Sequence, residues 1–242
     1  RSPWEVEGDG KILTTKNIVI ATGARPTVPN IPGLEKIRYL TSENIWTLAE
    51  KPKRLIVLGA GPIGCELAQS FARLGSEVTQ IELGPRLMGR EDSDVSEIVL
   101  GQFQKEGIRV LTSTEVQEIR VEGARKEVVC KTTSGDLRLE FDEILLAVGR
   151  TANVAGFGLE ELGVEISPRG TIVVDDYLRT RFPNIFACGD VAGPYQFTHT
   201  ASHMAWYCAV NALFGNFKKF KIEYDVIPWA TFTDPEVARV GL

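Results

Sequence analysis

The stretch Lys53–Glu82, KRLIVLGAGPIGCELAQSFARLGSEVTQIE, holds the most informative pattern in this 242-residue chain. Lys53–Leu58 ends in a continuously apolar run, which predicts a short buried strand. The segment Gly59–Gly64 has the form GxGxxG, and a helix is predicted after it. Apolar residues recur there at roughly helical spacing, at Ile63, Leu67, Phe71 and Leu74. Gly75 ends that helix, and an alternating strand then runs to Glu82. Strand, glycine turn, helix and strand in this order predict a dinucleotide-binding unit.

The glycine turn and the acid at Glu82 suit particular parts of a dinucleotide. Gly59 permits the tight turn, Gly61 lets the backbone approach the pyrophosphate, and Gly64 lets helix and strand pack closely. The helix N-terminus offers N–H groups and a positive dipole end to the phosphates. Glu82 lies 18 residues after Gly64 and can accept hydrogen bonds from both hydroxyls of the adenosine ribose. The other interpretation of the motif is a glycine-rich turn without a ligand.

Glu82 also predicts NAD in preference to NADP. The 2′-phosphate of NADP would meet a carboxylate, and the neighbouring Leu83 and Gly84 supply no cation to offset it. Arg86 is four residues on and would allow some NADP binding. NADP is therefore the less favoured of the two cofactors.

The sequence after Glu82 predicts the rest of the same domain. Asp92 and Asp94 are N-cap candidates for a helix that ends at Gly107. A strand at Ile108–Leu111 follows, then an antiparallel meander, and a buried strand at Glu143–Val148 closes the unit. The meander strands are Glu115–Val121, Glu127–Thr132 and Leu137–Phe141. The NAD-binding domain is therefore predicted over residues 42–150.

Composition and charge argue against several other classes of protein. With 43% hydrophobic and 24% charged residues, the chain has the composition of an ordinary globular protein. Its apolar runs are strand-sized, which argues against a membrane partner. The net charge of −5 and the shortness of the basic clusters argue against a nucleic-acid partner. No signal-peptide pattern is found, and a cytoplasmic location is predicted.

The four cysteines and two histidines have neither the spacing of a disulfide framework nor that of a metal site. The cysteines are Cys65, Cys130, Cys188 and Cys208. Their separation in sequence predicts reduced, mostly buried thiols that do not form a redox pair. His199 and His203 stand at i and i+4 on a predicted helix. A metal pair is one interpretation of them, but no third ligand lies at helical spacing, so no metal site is predicted.

Two further strands flank this domain, one before it and one after it. Asn17–Arg25 contains a strand that leads into Thr22 and Gly23, and Asn184–Val191 contains a strand that ends at Asp190. Their positions suggest halves of a second domain into which the first is inserted. Ligands collect at the carboxyl ends of strands in an open parallel sheet, where an Asp can hydrogen-bond a polyol. The other interpretation of this Asp is a helix N-cap.

Four stretches of the chain resemble the class I pyridine nucleotide–disulfide oxidoreductases, a family that includes dihydrolipoamide dehydrogenase, glutathione reductase and mercuric reductase. They are Ile20–Pro26, Gly59–Glu66, Ala147–Arg150 and Phe186–Val191. Pro228–Leu242 is similar to the opening strand of that family's dimerisation domain. The resemblance implies an α/β fold of nested, doubly wound Rossmann-like units. A complete NAD(P)-binding domain (42–150) would be inserted in an incomplete FAD-binding domain (1–41 and 151–223), and 224–242 would begin the dimerisation domain.

The resemblance also implies roles for residues on the FAD side. Asp190 would bind the ribityl chain of FAD, and Thr198 would contact the flavin through its backbone. Thr22 and Gly23 would line the same site.

Further roles are implied on the NAD side. Ile63 and Glu66 would lie near the nicotinamide, and Val116 would lie near the adenine. Ala147, Val148 and Gly149 would lie along the cofactor. For Glu66, the other interpretation is a favourable acid in the first turn of its helix.

Three features of the family are not found in this sequence: its first FAD motif, its redox-active Cys-x4-Cys pair and its catalytic His–Glu pair. The chain is interpreted as an excised fragment without catalytic residues, and we expect it to be inactive alone. The resemblance implies that its parent is a homodimeric flavoprotein, similar to dihydrolipoamide dehydrogenase and mercuric reductase. That enzyme would pass electrons from NADH through FAD to a dithiol–disulfide or to a metal acceptor such as Hg(II). The other function considered is a non-catalytic NAD-binding module or redox sensor.

Overall fold

The computed structural model describes residues 1–241 and has the mixed α/β fold that the sequence predicts. Its helices are α1 (Pro62–Arg73), α2 (Ser93–Lys105), α3 (Leu159–Leu162) and α4 (Thr198–Phe214). Its strands are β1 (Glu5–Gly8), β2 (Lys11–Thr14), β3 (Ile18–Ile20), β4 (Ala24–Pro26), β5 (Arg54–Leu58), β6 (Glu77–Ile81), β7 (Arg109–Leu111), β8 (Glu115–Glu122), β9 (Arg125–Thr132), β10 (Gly135–Phe141), β11 (Glu143–Leu146), β12 (Arg150–Ala152), β13 (Ile185–Ala187), β14 (Trp229–Thr231) and β15 (Val237–Arg239). Among the described residues, no helix is both long enough and apolar enough to cross a membrane.

The chain folds into two compact units, and it begins the second unit before it completes the first. The first unit consists mainly of Arg1–Arg25 and Arg150–Trp229. The second consists of Pro26–Gly149 and the later segment Ala230–Arg239. The assignment of one cofactor to each of the sequence-derived domains stays a prediction.

A four-stranded parallel sheet lies at the centre of the second unit, in the order β11-β5-β6-β7. Leu58 at the end of β5 stands opposite Leu146 on one side and Ile81 on the other. Because the strands are parallel, their carboxyl ends meet at one edge of the sheet. Gly59, Glu82 and Ala147 each follow one of these strands directly, so the sheet brings them to that same edge.

The fully buried residues of helix α1 are small or polar, whereas the apolar residues at helical spacing are at most partly buried. Its buried residues are Gly64, Cys65, Ala68 and Gln69. Leu67 and Phe71 are only partly buried at the edge of the contact, and Leu74 is 66% exposed. Small side chains let the helix come close to the strands, while Leu67 and Phe71 pack partly buried against the same apolar cluster. As predicted, the helix ends before Gly75, whose φ is +90°.

The remaining elements of the second unit follow the sequence prediction closely. Helix α2 starts after Asp92 and stops before Gly107, whose φ is +78°. Asp92 occupies the N-cap position, but its side chain makes no capping hydrogen bond, and Asp94 lies inside the first turn. Strands β8, β9 and β10 form the predicted antiparallel meander, with Cys130 opposite both Val116 and Leu137.

In the first unit, the segments that precede and follow the inserted chain share one parallel strand pair. Ile18 in β3 stands opposite Ile185 in β13, and Ile20 stands opposite Ala187. Helix α4 packs Met204 into the same apolar cluster. The hairpin of β1 and β2 also belongs to this unit and was not anticipated from the sequence.

The segment compared with a dimerisation domain contains the paired strands β14 and β15. Its last residue, Leu242, lies outside the described residues.

Candidate functional site

Packing alone requires glycine at two positions of the GxGxxG turn. Gly59 has a φ of +103°, and a Cβ added there would lie 2.4 Å from the carbonyl oxygen of Ala147. A Cβ added to Gly64 would lie 2.3 Å from the carbonyl oxygen of Gly59. Both distances are far shorter than a van der Waals contact. The clashing atoms belong to the backbone, which cannot move aside as a flexible side chain can. These two glycines therefore allow β5, β11 and α1 to approach one another.

Gly61, the middle glycine, differs from the other two. Its φ of −75° and ψ of −177° lie in the extended region, which other residues also adopt. A Cβ built on it would meet no heavy atom within 4 Å. The described part of the protein thus gives no steric reason for glycine here. Gly61 is the N-cap of α1, so the open space lies beside the first N–H groups of a helix, which have no intrahelical acceptor.

Glu82 is held by backbone N–H groups on both sides of its carboxylate. Oε2 accepts a hydrogen bond of 2.7 Å from the N–H of Ala60, in the glycine turn. Oε1 accepts one of 2.7 Å from the N–H of Gly84. The acid predicted from spacing therefore does lie next to the glycine turn, and its orientation is fixed by hydrogen bonds.

Gln80 holds the same glycine turn through a hydrogen bond. It was not identified from the sequence. It is completely buried in β6, and its Nε2 donates to the carbonyl oxygen of Gly59 over 3.1 Å. Among the described residues, its Oε1 has no hydrogen-bond partner. One signal could have identified Gln80: it is a long amide side chain in the same short strand as the buried, apolar Val78 and Ile81.

The cation nearest to Glu82 in sequence is engaged elsewhere. Arg86 Nη2 donates to the carbonyl oxygens of Gly89, over 3.3 Å, and Glu91, over 3.0 Å. Leu83 beside Glu82 is 70% exposed and carries no charge.

The residues expected along the rest of the dinucleotide occupy different parts of the second unit. Ala147 N–H donates to the carbonyl oxygen of Leu58, which fixes it beside the glycine turn. Val148 is 40% exposed, and Gly149 has a φ of +125° that favours glycine. Val116 lies in the meander strand β8 and packs partly buried against an apolar cluster. The structure therefore brings the Ala147 segment next to Gly59, whereas Val116 belongs to a separate sheet.

Glu66 and Ile63 both lie on α1. The interpretation of Glu66 as a favourable acid in the first turn of this helix was wrong. Glu66 is not in the first turn, so it is not explained as an acid at the helix N-terminus. Its Oε1 instead accepts a 2.9 Å hydrogen bond from the N–H of Phe232, in the segment that follows β14. Ile63 is half-buried near the start of the helix.

Other residues of α1 hold the same segment through a charged network. Arg73 forms salt bridges of 2.7 Å with both Glu106 and Asp234. Gln69 Nε2 donates to the carbonyl oxygen of Asp234 and to Glu106 Oε1. Hydrogen bonds from Arg73 above all, and also from Gln102 and Gln69, lower the pKa of Glu106 to about 2, although burial acts in the opposite direction. This carboxylate is therefore charged at neutral pH and fixes α1 relative to the segment 230–239.

In the first unit, Thr22 and Gly23 are fixed by hydrogen bonds with Asn153. Thr22 Oγ1 donates to the carbonyl oxygen of Asn153 over 2.7 Å, and Asn153 Nδ2 donates to the carbonyl oxygen of Thr22 over 2.9 Å. Asn153 N–H also donates to the carbonyl oxygen of Gly23. Asn153 was not anticipated as part of this site.

Asp190 forms an ion pair with Arg150, and it does not cap a helix. Arg150 Nε lies 3.2 Å from Asp190 Oδ2, and its Nη2 donates to the carbonyl oxygen of Ala24 over 2.7 Å. The next helix, α4, begins only at Thr198 and has Phe197 as its N-cap, which excludes the N-cap interpretation of Asp190. Arg150 thus ties together Asp190 and the strand after Thr22 and Gly23. Thr198 itself is exposed at the start of α4.

The two histidines border a cavity, and the four cysteines are buried. His199 and His203 line a cavity of about 380 Å³ on α4. Within residues 1–241, no three His, Cys, Asp or Glu side chains gather as a group of metal ligands. All four cysteines are free and buried, which confirms the predicted burial.

These contacts place a glycine turn with an adjacent acid in one unit and a paired Asp–Arg with a Thr-Gly turn in the other. A family model described as pyridine nucleotide-disulphide oxidoreductase matches residues 2–205. The chain belongs to this family. Membership of the pyridine nucleotide-disulphide oxidoreductases confirms the resemblance identified from the motifs.

Several members of this family are similar to almost the whole chain. Mercuric reductase of Bacillus cereus is 39% identical over 237 residues, which is 98% of this chain and 37% of that protein. Dihydrolipoyl dehydrogenase of Chlamydia pneumoniae is 39% identical over 235 residues, which is 97% of this chain and 49% of that protein. The chain therefore spans less than half of the length of these two relatives.

A solved structure of the same family has a closely similar fold. It is the HOCl-induced flavoprotein disulfide reductase RclA from Escherichia coli, with a TM-score of 0.89 and 30% sequence identity. The match covers 100% of this chain and 55% of RclA.

Proposed function

We propose that this chain supplies the NADH-binding part and one side of the FAD-binding part of a flavoprotein oxidoreductase. The observation that carries the proposal is Gly61. Packing explains Gly59 and Gly64, but no described atom lies within 4 Å of a Cβ at Gly61. A pyrophosphate that approaches the backbone at the start of α1 accounts for this glycine, because a side chain would stand in its way.

Glu82 supports NADH as the preferred dinucleotide. Its carboxylate is already oriented by two backbone N–H groups, so its remaining lone pairs can accept the ribose hydroxyls without loss of side-chain freedom. A 2′-phosphate would be repelled by the same carboxylate. Arg86, the cation that could offset this repulsion, donates to two carbonyl oxygens of its own loop.

Asp190 and the Thr22–Gly23 turn support FAD binding by the first unit. Asp190 is a largely buried carboxylate, with a side chain 17% exposed, and Arg150 holds it in one orientation. A fixed carboxylate of this kind suits the hydroxyls of a ribityl chain. The chain crosses from β3 to β4 at Thr22 and Gly23, and Arg150 links this crossing to Asp190. Thr198 would present its backbone to the flavin, and the two units would be nested Rossmann-like domains.

The relatives' names suggest the reaction of the complete protein. When bound, the two cofactors supply the redox chemistry, in which a hydride passes from the nicotinamide to the flavin. The residues of this chain orient the cofactors: Glu82 and the glycine turn position NADH, and Asp190 with Arg150 positions FAD. The terminal acceptor would be a dithiol–disulfide, such as a lipoamide or glutathione-type disulfide, or a metal such as Hg(II). The paired strands β14 and β15 would begin a domain that dimerises.

Direct titration with both dinucleotides tests the proposal. We expect saturable binding of NADH, followed through its fluorescence, and weaker binding of NADPH. Equal affinity for the two would contradict the role of Glu82, and the absence of saturable binding would contradict the cofactor site as a whole.

A further inference from the structure

The sequence predicts no redox pair among the cysteines, but two that are 20 residues apart in sequence are neighbours in the first unit. Cys188 directly follows β13, and Cys208 lies in α4. Cys208 Sγ lies 3.6 Å from the carbonyl oxygen of Ala187, which belongs to the peptide bond that joins Ala187 to Cys188. An interaction with Cys188 is also the largest cause of the raised pKa of Cys208.

Close packing of α4 against the chain around Cys188 explains this proximity. A Cβ added to Gly189 would lie 3.3 Å from the Cβ of Ala201, so a glycine lets the helix approach the backbone next to Cys188. Both cysteines belong to one apolar cluster, in which Cys188 is 5% exposed and Cys208 is 1% exposed. The two cysteines thus share one apolar environment, in which Cys188 keeps the larger exposed fraction.

The two thiols differ in acidity because of their mutual hydrogen bond. That bond lowers the pKa of Cys188 and, together with burial, raises the pKa of Cys208. Cys188 is therefore the thiol that ionises first, and the thiolate is the nucleophilic form. Burial raises the pKa of Cys65 to about 12 and that of Cys130 to about 11, and no cysteine is among the causes of either shift.

We propose that Cys188 and Cys208 form a site of oxidative modification, at which a hydroperoxide converts the two thiols into a disulfide. In the first step, the Cys188 sulfur attacks the peroxide oxygen, the O–O bond breaks, and a sulfenic acid and water form when hydrogen peroxide is the oxidant. In the second step, the Cys208 sulfur attacks the sulfur of this sulfenic acid, and a second water leaves. Two thiols and one peroxide thus give one disulfide and two waters.

The disulfide would join two elements that carry proposed FAD contacts. Cys188 is two residues before Asp190, and Cys208 lies in the helix that Thr198 begins. Cross-linking them would fix the helix relative to the Asp190 turn. The modification itself requires only the two thiols and does not depend on the proposed cofactor function.

Peptide mapping of the full-length protein after treatment with hydrogen peroxide tests the proposal. The expected product is a peptide pair linked through Cys188 and Cys208, lighter by two hydrogen atoms than the sum of the reduced peptides and separated again by dithiothreitol. Before oxidation, iodoacetamide should modify Cys188 at least about tenfold faster than Cys65, because each unit of pKa changes the thiolate fraction about tenfold.

Matched variants separate this pair from the other cysteines. Cys188→Ser and Cys208→Ser should each abolish the linked peptide, whereas Cys65→Ser and Cys130→Ser should leave it unchanged. The wild-type mapping needs no substitution, so a variant that fails to fold does not prevent the test. Stable oxygen addition at Cys188 without a link to Cys208 would overturn the proposal, and so would recovery of both cysteines as free thiols.

Discussion

The middle glycine of the turn gives the sharpest prediction, since the substitution Gly61→Ala separates ligand binding from protein stability. The backbone at Gly61 is already extended, and the added methyl group would meet no heavy atom within 4 Å. Replacing glycine at such a compatible site lowers the freedom of the unfolded chain, which stabilises a protein by about 0.4–1 kcal/mol. Gly61 is also the N-cap of α1, where alanine is less favourable than glycine by a similar amount, so the Tm should change by no more than about 4 °C.

The same methyl group should weaken NADH binding. It would hold the pyrophosphate away from the N–H groups at the start of α1. Each hydrogen bond to a charged group contributes about 1.5–3 kcal/mol, so the loss of one raises the Kd by about ten- to a hundredfold. Titration of NADH fluorescence, with thermal unfolding measured on the same samples, provides both quantities.

Gly59→Ala is the matched control, because it changes the same residue type two positions earlier. Its Cβ would lie 2.4 Å from the carbonyl oxygen of Ala147, at a φ of +103°. Backbone strain and overpacking should each cost about 1–3 kcal/mol, so the Tm should fall by several degrees. A Gly61→Ala protein that binds NADH as tightly as the wild type would refute the reasoning. A Gly61→Ala protein destabilised as much as the control would refute it too.

Three further predictions concern charged residues. Glu82→Ala should weaken the binding of NADH about ten- to a hundredfold and the binding of NADPH less, so the ratio of the two Kd values should move towards one. An unchanged ratio in parallel titrations would exclude Glu82 from the ribose contact. In the full-length protein, Arg150→Met should reduce the amount of flavin that remains bound after gel filtration. Arg150→Lys keeps a cation near Asp190 and should retain more flavin. Equal flavin content in both variants would contradict a positioning role of Arg150. Glu106→Gln should lower the free energy of unfolding at neutral pH by up to about 1 kcal/mol. Because the pKa of Glu106 is lowered from 4.5 to about 2, this difference should be full above pH 4.5 and disappear as the pH falls through 2, which urea unfolding across that range can measure.

Local patterns in the sequence predicted much of the second unit. The strand before Gly59, the helix after it and the three meander strands each depend on residues close together in the chain. The buried face of α1 was not predicted, because periodicity weights large apolar residues, whereas this helix approaches its sheet through Gly64 and Ala68.

Contacts between distant segments could not be predicted in the same way. Arg150 reaches Asp190 across 40 residues, and Glu66 reaches Phe232 across 166 residues. No local pattern contains such pairs, since the fold of the intervening chain determines them. The proximity of Cys188 to Cys208 has the same origin, because it depends on how α4 packs against the chain after β13.

Anaerobic reduction of the flavin in the full-length protein by NADH tests the proposed function directly. We expect the visible absorption band of the bound flavin to bleach when about one equivalent of NADH is added, and NADPH to bleach it more slowly. Glu82→Ala should slow the reaction at low NADH and reduce the difference between the two cofactors. A flavin band that stays oxidised with excess NADH, or a protein that binds no flavin, would contradict the proposal that the protein uses NADH and FAD for electron transfer.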